Sequence, residues 1–120
     1  MYQKIIQNLL TIVNQLKYYH WQTDSYSKHK ALGKAYDTLI GLVDDFVEIL
    51  LGKYGKELSP ISINIKTESE LDYNSAIEEI SNYLSYELSN ILDEKDTDLL
   101  NIRDEMLAIV NKTKYLLTLN

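Results

Sequence analysis

The first half of the chain includes four residues whose types and spacing could ligate a metal ion, namely His20, His29, Asp44 and Glu48. Imidazole and carboxylate ligands with open coordination positions suit redox-active iron, and histidine is also the usual general base near neutral pH. Because Asp44 and Glu48 are four residues apart, a helix places both carboxylates on the same flank. These four residues are therefore the candidate metal ligands of the sequence.

Apolar residues that recur at steps of three and four predict four α-helices, which must position these ligands. The first helix is predicted over about 2–21 and the second over about 27–54, with Ser25 or Ser27 as the cap of the second. The third is predicted over about 71–92 and the fourth over about 97–119, with Asp96 or Thr97 as its cap. The apolar stripes that carry these predictions include Ile6, Leu9, Val13, Leu16 and His20 in the first helix; Leu32, Leu39, Val43, Phe46 and Leu50 in the second; Ile77, Ile80, Leu84, Leu88 and Ile91 in the third; and Leu99, Arg103, Met106, Val110, Thr113 and Leu117 in the fourth.

A long connection without helical pattern separates the second and third helices. Pro60 disfavours helix at the residue before it, and Ile61, Ile63 and Ile65 alternate as in an extended stretch with one packed face. Residues 56–68 can extend over ~43 Å, which is long enough to cross a whole helical bundle. We therefore predict an all-α protein, a single domain over residues 1–120, with a ferritin-like four-helix bundle and one long crossover between helices two and three.

Two glycines share one narrow sector of the second helix with the carboxylates. At ~100° per residue, this sector contains Gly33, Asp37, Gly41, Asp44 and Glu48. A glycine inside a helix costs about 1 kcal/mol relative to alanine, so its presence favours a close helix–helix contact on this sector. The alternative is a solvated acidic face on which the glycines are incidental.

The distance along the second helix decides how any metal site is built. His29 and Asp44 are about 22 Å apart along the helix axis, whereas ligand–metal bonds are ~2 Å long, so both cannot bind one ion within one chain. They converge if two copies of the helix pack antiparallel across a two-fold axis, which is the commonest homodimer geometry. A di-iron site inside one bundle is disfavoured because no Glu-x-x-His pattern occurs. In the alternative without metal, His20 is hydrogen-bonded at a helix end and His29 is solvated.

Composition excludes several other classes of function. The 120 residues include 12 Lys and Arg, 18 Asp and Glu and no Cys, for a net charge of -6. The absence of Cys excludes disulfides, thiolate metal sites and a cysteine nucleophile, and the acidic balance disfavours nucleic acid as a partner. No phosphate-binding glycine loop, serine elbow or HExxH motif occurs. Without a signal peptide or a long apolar run, we expect a cytoplasmic protein that has no membrane partner.

The order of these residues resembles the mini-ferritins, or Dps proteins, over about residues 5–51. In that family a Tyr-His-Trp closes the first helix, as Tyr19, His20 and Trp21 do here, and an Asp and a Glu follow the second His at +15 and +19, as Asp44 and Glu48 follow His29. The resemblance implies an iron-oxidising site at a two-fold interface. One protomer would donate its two His and the partner its Asp and Glu. Fe(II) would be oxidised by peroxide or oxygen and stored as mineral inside a twelve-chain shell.

The same resemblance places Trp21 beside the ligands, and Asp37 is expected near them because it shares their sector of the second helix. The chain departs from the family pattern at Gly33, where an acidic residue often stands, in a shorter link between the two His, and in lacking a Lys-rich N-terminal arm for DNA.

Three stretches also resemble a small family of proteins encoded by phages and large DNA viruses: residues 20–23, 52–55 and 103–107. The alternative function is therefore a structural or interaction protein, such as a virion or host-takeover component, that keeps the bundle without catalysis.

Overall fold

The computed structural model describes residues 2–119, which form helices joined by turns and one long extended connection. The helices are α1 (Tyr2–Gln22), α2 (Tyr26–Tyr54), α3 (Tyr73–Asn82), α4 (Leu88–Ile91) and α5 (Thr97–Leu116), and a π-helical turn, Tyr83–Glu87, joins α3 to α4. Because α3, the π-helical turn and α4 continue one another, the chain has four long helical units. No strand occurs in the described part, so the prediction of an all-α protein with four helices is confirmed.

The four units enclose one hydrophobic core in an arrangement compatible with a four-helix bundle. Helix α1 packs on α2, α2 packs on α5, and α5 packs on α3 and the π-helical turn. The predicted stripes supply most of this core, including Leu16, Phe46 and Leu84, each no more than 1% exposed. No described helix combines the length and apolarity that are needed to cross a lipid bilayer.

The π-helical turn changes which residues face the core after it. The sequence predicted Ile91 on the apolar stripe, but Ile91 is 40% exposed and Leu92 is buried in its place. A π-helical turn holds more residues than an α-helical turn, so the stripe that follows it shifts along the chain. Arg103 of α5 supports this turn, because its Nη1 donates hydrogen bonds to the Leu84 carbonyl and the Ser89 hydroxyl.

The connection between α2 and α3 follows α1 from its first turn to its last. The Gln3 side chain donates to the Ser59 carbonyl, at 2.6 Å, near the start of α1. Further along, the Gln15 amide accepts from the backbone N–H of Lys66 and donates to its carbonyl, both at 2.9 Å. Near the end of α1, the Tyr19 hydroxyl donates to the Leu71 carbonyl. The alternating isoleucines do not enter the core: Ile61 and Ile65 are half-buried and Ile63 is 41% exposed.

The start and end of α2 are capped as the sequence predicts, whereas the predicted cap of α5 makes no capping hydrogen bond. Ser25 caps α2 by accepting a hydrogen bond from the backbone N–H of Lys28, and Gly55 ends α2 with a φ of 98°, a conformation that favours glycine. Asp96 occupies the cap position of α5, but its side chain makes no capping hydrogen bond. That carboxylate instead accepts from the Tyr54 hydroxyl at 2.5 Å and pairs with the Lys53 ammonium at 2.7 Å.

The buried Asp96 carboxylate makes the stability of the fold depend on pH in the acid range. Its hydrogen bonds with Lys53 and Tyr54 lower the pKa of Asp96 to about 2, and the Asp96 side chain is only 4% exposed. A carboxylate with a lowered folded-state pKa stabilises the fold above its unfolded-state pKa, and that contribution disappears as the pH falls through the folded-state pKa.

We therefore expect the free energy of unfolding of the wild type to fall between about pH 4 and pH 2, and to fall less steeply for Asp96→Asn. Urea titrations at several pH values measure this. The matched control is Asp98→Asn, which removes a half-exposed carboxylate that also contacts Lys53. Equal pH slopes for wild type and Asp96→Asn would contradict the assignment.

Candidate metal centre

The turn between α1 and α2 brings the two histidines of the chain together. His20 lies in the last turn of α1, His29 lies in the first turn of α2, and residues 23–25 reverse the chain between them. The two imidazole rings stack with their centroids 3.8 Å apart and their planes inclined by 17°. The sequence predicted both residues as ligands from one protomer, and the structure places them side by side within one chain.

Each histidine donates a hydrogen bond to the backbone of the other. His20 Nδ1 lies 2.6 Å from the His29 carbonyl oxygen, and His29 Nδ1 lies 2.7 Å from the His20 carbonyl oxygen. Because a carbonyl oxygen only accepts, each Nδ1 carries the proton. In the neutral rings, Nε2 is then the nitrogen with a free lone pair. A backbone carbonyl that holds Nδ1–H is a common partner of histidines that bind metal through Nε2.

Gly33 allows this exchange of hydrogen bonds. A Cβ atom at Gly33 would lie 2.7 Å from both Cε1 and Nδ1 of His20, closer than real Cβ contacts. On α2, residue 33 follows residue 29 by one turn, so the missing side chain leaves the His29 carbonyl open to the His20 ring. The sequence predicted that Gly33 admits another helix backbone, but what it admits is an imidazole of the same chain.

The stacking also determines how the pair can bind ions. The lone pair of an imidazole nitrogen lies in the plane of the ring, and the planes of His20 and His29 are nearly parallel and stacked. In this arrangement the two lone pairs do not converge on one ion. Each imidazole can instead bind a separate ion through the lone pair of its Nε2.

Two exposed aromatic residues lie near the histidines in the sequence. Trp21 is 68% exposed and Tyr26 is 74% exposed, although both are large and partly apolar. The Lys17 ammonium lies over the Trp21 ring, 5.6 Å from its centroid, and Tyr26 stacks beside His29 with 6.3 Å between ring centroids. Aromatic residues are enriched at protein interfaces.

The two carboxylates lie together farther along α2, on its exposed face. Asp44 and Glu48 are both exposed, and Asp37 and Gly41 share this exposed face with them. The charge of Asp44 is the main cause that raises the pKa of Glu48, and a hydrogen bond between the two side chains raises it further. Two carboxylates that repel each other in this way favour a cation between them.

The structure therefore forms two pairs of candidate ligands and does not bring the pairs together within one chain. Among residues 2–119, no three His, Asp or Glu side chains are grouped so that they could hold a metal ion. His29 and Asp44 are fifteen positions apart on α2, which separates the pairs by about 22 Å. The assignment of the four ligands, and of Trp21 and Asp37 beside them, stays a prediction.

Sequence reasoning missed the function of Gly33 in this site. The signal was available, because Gly33 stands one helical turn after His29 and therefore over its carbonyl. The pairing of each imidazole with the opposite carbonyl had no sequence signal, because it depends on the angle at which α1 and α2 meet.

The fold and the paired ligands define an all-helical protein that carries two histidines at a helix hairpin and two carboxylates on an exposed helix face. Residues 20–117 match the model of a family of unknown function, DUF5856, and the chain belongs to that family. The matched region begins at His20 and contains all four candidate ligands. No curated protein and no solved structure is significantly similar to the chain.

Alanine at the two helical glycines of α2 is expected to act in opposite directions. Gly41→Ala has no neighbour within 4 Å of the new Cβ, so we expect it to stabilise the chain by roughly 0.5–1 kcal/mol through helix propensity. Gly33→Ala is expected to displace the His20 ring and therefore to destabilise the folded chain. Chemical denaturation measures both changes, and histidine NMR signals report the ring contact. A Gly33→Ala variant as stable as Gly41→Ala, with unchanged histidine signals, would refute the role of Gly33.

Proposed function

We propose that the protein is a ferritin-like, Dps-like metal-binding protein that works as a two-fold dimer through α2. His20 and His29 of one protomer and the partner's Asp44 and Glu48 bind Fe(II) as a substrate, which peroxide or oxygen then oxidises. The observation that carries the proposal is the hydrogen bonding of the imidazole pair. Both Nδ1 atoms are held by carbonyls, so both free lone pairs are on Nε2, which is the arrangement of histidines that bind metal through Nε2.

The charges on α2 support an antiparallel pairing of two copies of this helix. Lys30 and Lys34 are exposed near its start, and Asp44, Asp45 and Glu48 are exposed nearer its end. A two-fold axis that passes α2 near Asp37 sets the basic half of one copy against the acidic half of the other. The same register sets His29 opposite the segment that carries the partner's Asp44 and Glu48. An isologous interface needs a self-complementary surface of this kind.

The course of the chain supports the ferritin-like assignment. The connection follows α1 back along the bundle after α2 has ended, so α3 begins near the end of α1 and runs in the same direction as α2. One long crossover of this kind occurs in ferritin-like bundles. We further propose that such dimers assemble into closed shells, which store the oxidised iron.

In the proposed chemistry the imidazole pair and the carboxylate pair stabilise different oxidation states of iron. The imidazoles are neutral ligands that suit Fe(II), and the carboxylates favour the higher charge of Fe(III) that forms when each ion gives one electron to the oxidant. Two stacked imidazoles that bind separate ions would hold those ions next to each other. Trp21, which is exposed and directly follows His20 in the chain, would be covered by the partner in the dimer.

The alternative is a structural or interaction protein, such as a virion or host-takeover component, that keeps the bundle without catalysis. One observation favours it: the two hydrogen bonds from Nδ1 to the opposite carbonyl join α1 to α2 within one chain, which gives the imidazoles a structural role. In that case the exposed face of α2 would still be an interface, but iron would have no effect on it.

Mixing two inactive variants tests whether the site is shared between protomers. One variant carries His20→Ala and His29→Ala, and the other carries Asp44→Asn and Glu48→Gln. We expect each alone to lose Fe(II) binding and oxidation. Refolding them together is expected to restore about half of the wild-type activity per heterodimer, because one of its two sites then has all four native ligands. Calorimetry measures ion binding, and absorbance of Fe(III) measures oxidation.

The matched control is a mixture of the second variant with itself at the same total concentration. If the wild type binds no Fe(II), or if the mixture recovers nothing although heterodimers form, the shared site is wrong. If each double variant still binds iron as the wild type does, the four ligands are wrong.

Disulfide cross-linking tests the interface independently of metal. Because the chain has no native Cys, Asp37→Cys introduces a single thiol close to the proposed two-fold axis. We expect it to form a covalent dimer under mild oxidation much faster than Glu105→Cys, an exposed control position on α5. Gel electrophoresis without reductant measures the dimer. Equal rates at the two positions would contradict an α2 interface while leaving ion binding to be judged by the mixing experiment.

A further inference from the structure

The connection between α2 and α3 contains an uncharged segment, residues 58–65, that takes no part in the proposed metal site. Its sequence is Leu-Ser-Pro-Ile-Ser-Ile-Asn-Ile. Alternating β-branched residues of this kind are favoured in β-strands, yet the described residues contain no strand. None of the four candidate metal ligands lies in the segment, so its function does not depend on them.

The segment follows α1 in a nearly extended conformation. The Gln3 side chain holds the connection at Ser59. The Gln15 side chain holds it at Lys66. The two glutamines are about 18 Å apart along the axis of α1, and the connection covers this distance in seven positions. It therefore advances roughly 2.6 Å per residue, which is close to the rise of a β-strand and well above that of an α-helix.

The side chains of the connection also alternate as they do in a strand. A cavity of about 490 Å³ lies between α1, the connection and the third helical unit, and three even-numbered side chains of the connection line it: Ser62, Asn64 and Lys66. The odd-numbered isoleucines do not line this cavity, as expected for the opposite face of a strand. Because Ile63 is 41% exposed and the other two are half-buried, the chain itself covers this apolar face only in part.

Gln15 bonds to one edge of the connection in the way that a neighbouring strand would. Its amide accepts from the N–H of Lys66 and donates to the carbonyl of the same residue, both at 2.9 Å. A residue of a neighbouring antiparallel strand makes this same pair of bonds. In a strand, the N–H and C=O of successive residues point to opposite edges. The backbone groups of residues 61, 63 and 65 therefore lie on the edge away from Gln15, which we call the outer edge.

The outer edge is unpaired. Across the described part of the chain, the backbone N–H and C=O groups of residues 61–65 make no hydrogen bond. A free edge of this kind is a template for pairing with another chain, and proteins usually protect such edges with charged residues or bulges. The segment has no charged residue, and Pro60 stands near its start, where a strand tolerates proline.

The sequence of the segment fits a second copy of itself. In an antiparallel pair centred on Ile63, Ile61 lies opposite the partner's Ile65. Ser62 then lies opposite the partner's Asn64. Each apolar side chain meets an apolar one and each polar side chain meets a polar one, which are the cross-strand contacts that stabilise a sheet. An unrelated peptide would have to carry this pattern, whereas a second copy supplies it by two-fold symmetry.

We propose that two copies of the protein join through the outer edges of this segment, as an antiparallel β-pair with its two-fold axis at Ile63. The backbone N–H and C=O groups of residues 61, 63 and 65 exchange hydrogen bonds with those of the partner. The pairing uses no residue of α2, so it adds a second interface to the proposed α2 interface.

Amide hydrogen exchange of the ¹⁵N-labelled full chain, followed by NMR, tests the pairing residue by residue. The N–H groups of Ile61, Ile63 and Ile65 are expected to become more protected as the chain concentration rises. Once most of the chain is paired, protection should rise about threefold for each tenfold increase in concentration, because the unpaired fraction falls as the square root of concentration. The N–H groups of Ser62 and Asn64 point away from the partner and are expected to stay unprotected.

Two proline variants provide a matched comparison. Ile63→Pro removes an N–H from the outer edge, and Asn64→Pro removes one from the edge that faces α1. We expect Ile63→Pro to abolish the concentration-dependent protection and Asn64→Pro to retain it, because a strand tolerates proline where the missing N–H does not face its partner.

Disulfide formation tests the register in a chain that has no native Cys. Residues 62 and 64 of opposite copies form a pair with Cα atoms about 4.5 Å apart, which is within disulfide range. A mixture of Ser62→Cys and Asn64→Cys is therefore expected to form a covalent heterodimer faster than either variant alone forms a homodimer. The α2 interface is reported separately by Asp37→Cys, so failure of one interface is distinguishable from failure of the other.

Three results would overturn the proposal. One is protection of these amides that does not change with chain concentration. Another is equal protection of all five amides from residue 61 to residue 65. The third is a heterodimer that forms no faster than the homodimers.

Discussion

The exchange of hydrogen bonds between His20 and His29 is the interaction on which the candidate site depends. Each imidazole donates a hydrogen bond to a backbone carbonyl of the other helix. The end of α1 and the start of α2 are therefore joined by side chains as well as by the turn. The same bonds place both protons on Nδ1. A single pair of contacts therefore sets the geometry of the hairpin and the chemistry that the rings can perform. The position of the His20 ring depends on the absence of a side chain at Gly33.

Different structural features lie on different sides of α1. Towards α2 it presents His20 and the exposed aromatic residues, next to a helix whose outer face carries basic residues at one end and acidic residues at the other. Towards the third helical unit it borders the cavity, and its Gln15 holds the connection through two hydrogen bonds. The cluster of Asp96 with Lys53 and Tyr54 fixes α5 against the end of α2 and so closes the far end of the molecule.

Much of the helical framework could be predicted because amphipathic periodicity reports directly on burial. Leu32, Phe46 and Leu99 are all fully buried as their spacing indicates. Two failures have physical causes. Ile91 leaves the core because the π-helical turn shifts the stripe after it, and helical periodicity contains no signal for such a turn. Ile63 is exposed because an alternating extended segment packs only where a second surface meets it, and alternation does not say whether one is present.

The sequence by itself determined the four helices, the place of His20 at the end of the first helix, and the separation that prevents His29 and Asp44 from sharing an ion in one chain. These follow from the fixed rise and rotation of the α-helix. Only the tertiary structure decided that the imidazoles stack, which nitrogens carry protons, that Gly33 admits a ring, and that Tyr83 borders a cavity. Those features depend on the angles and distances between helices, which the packing of the whole core sets and no local pattern encodes.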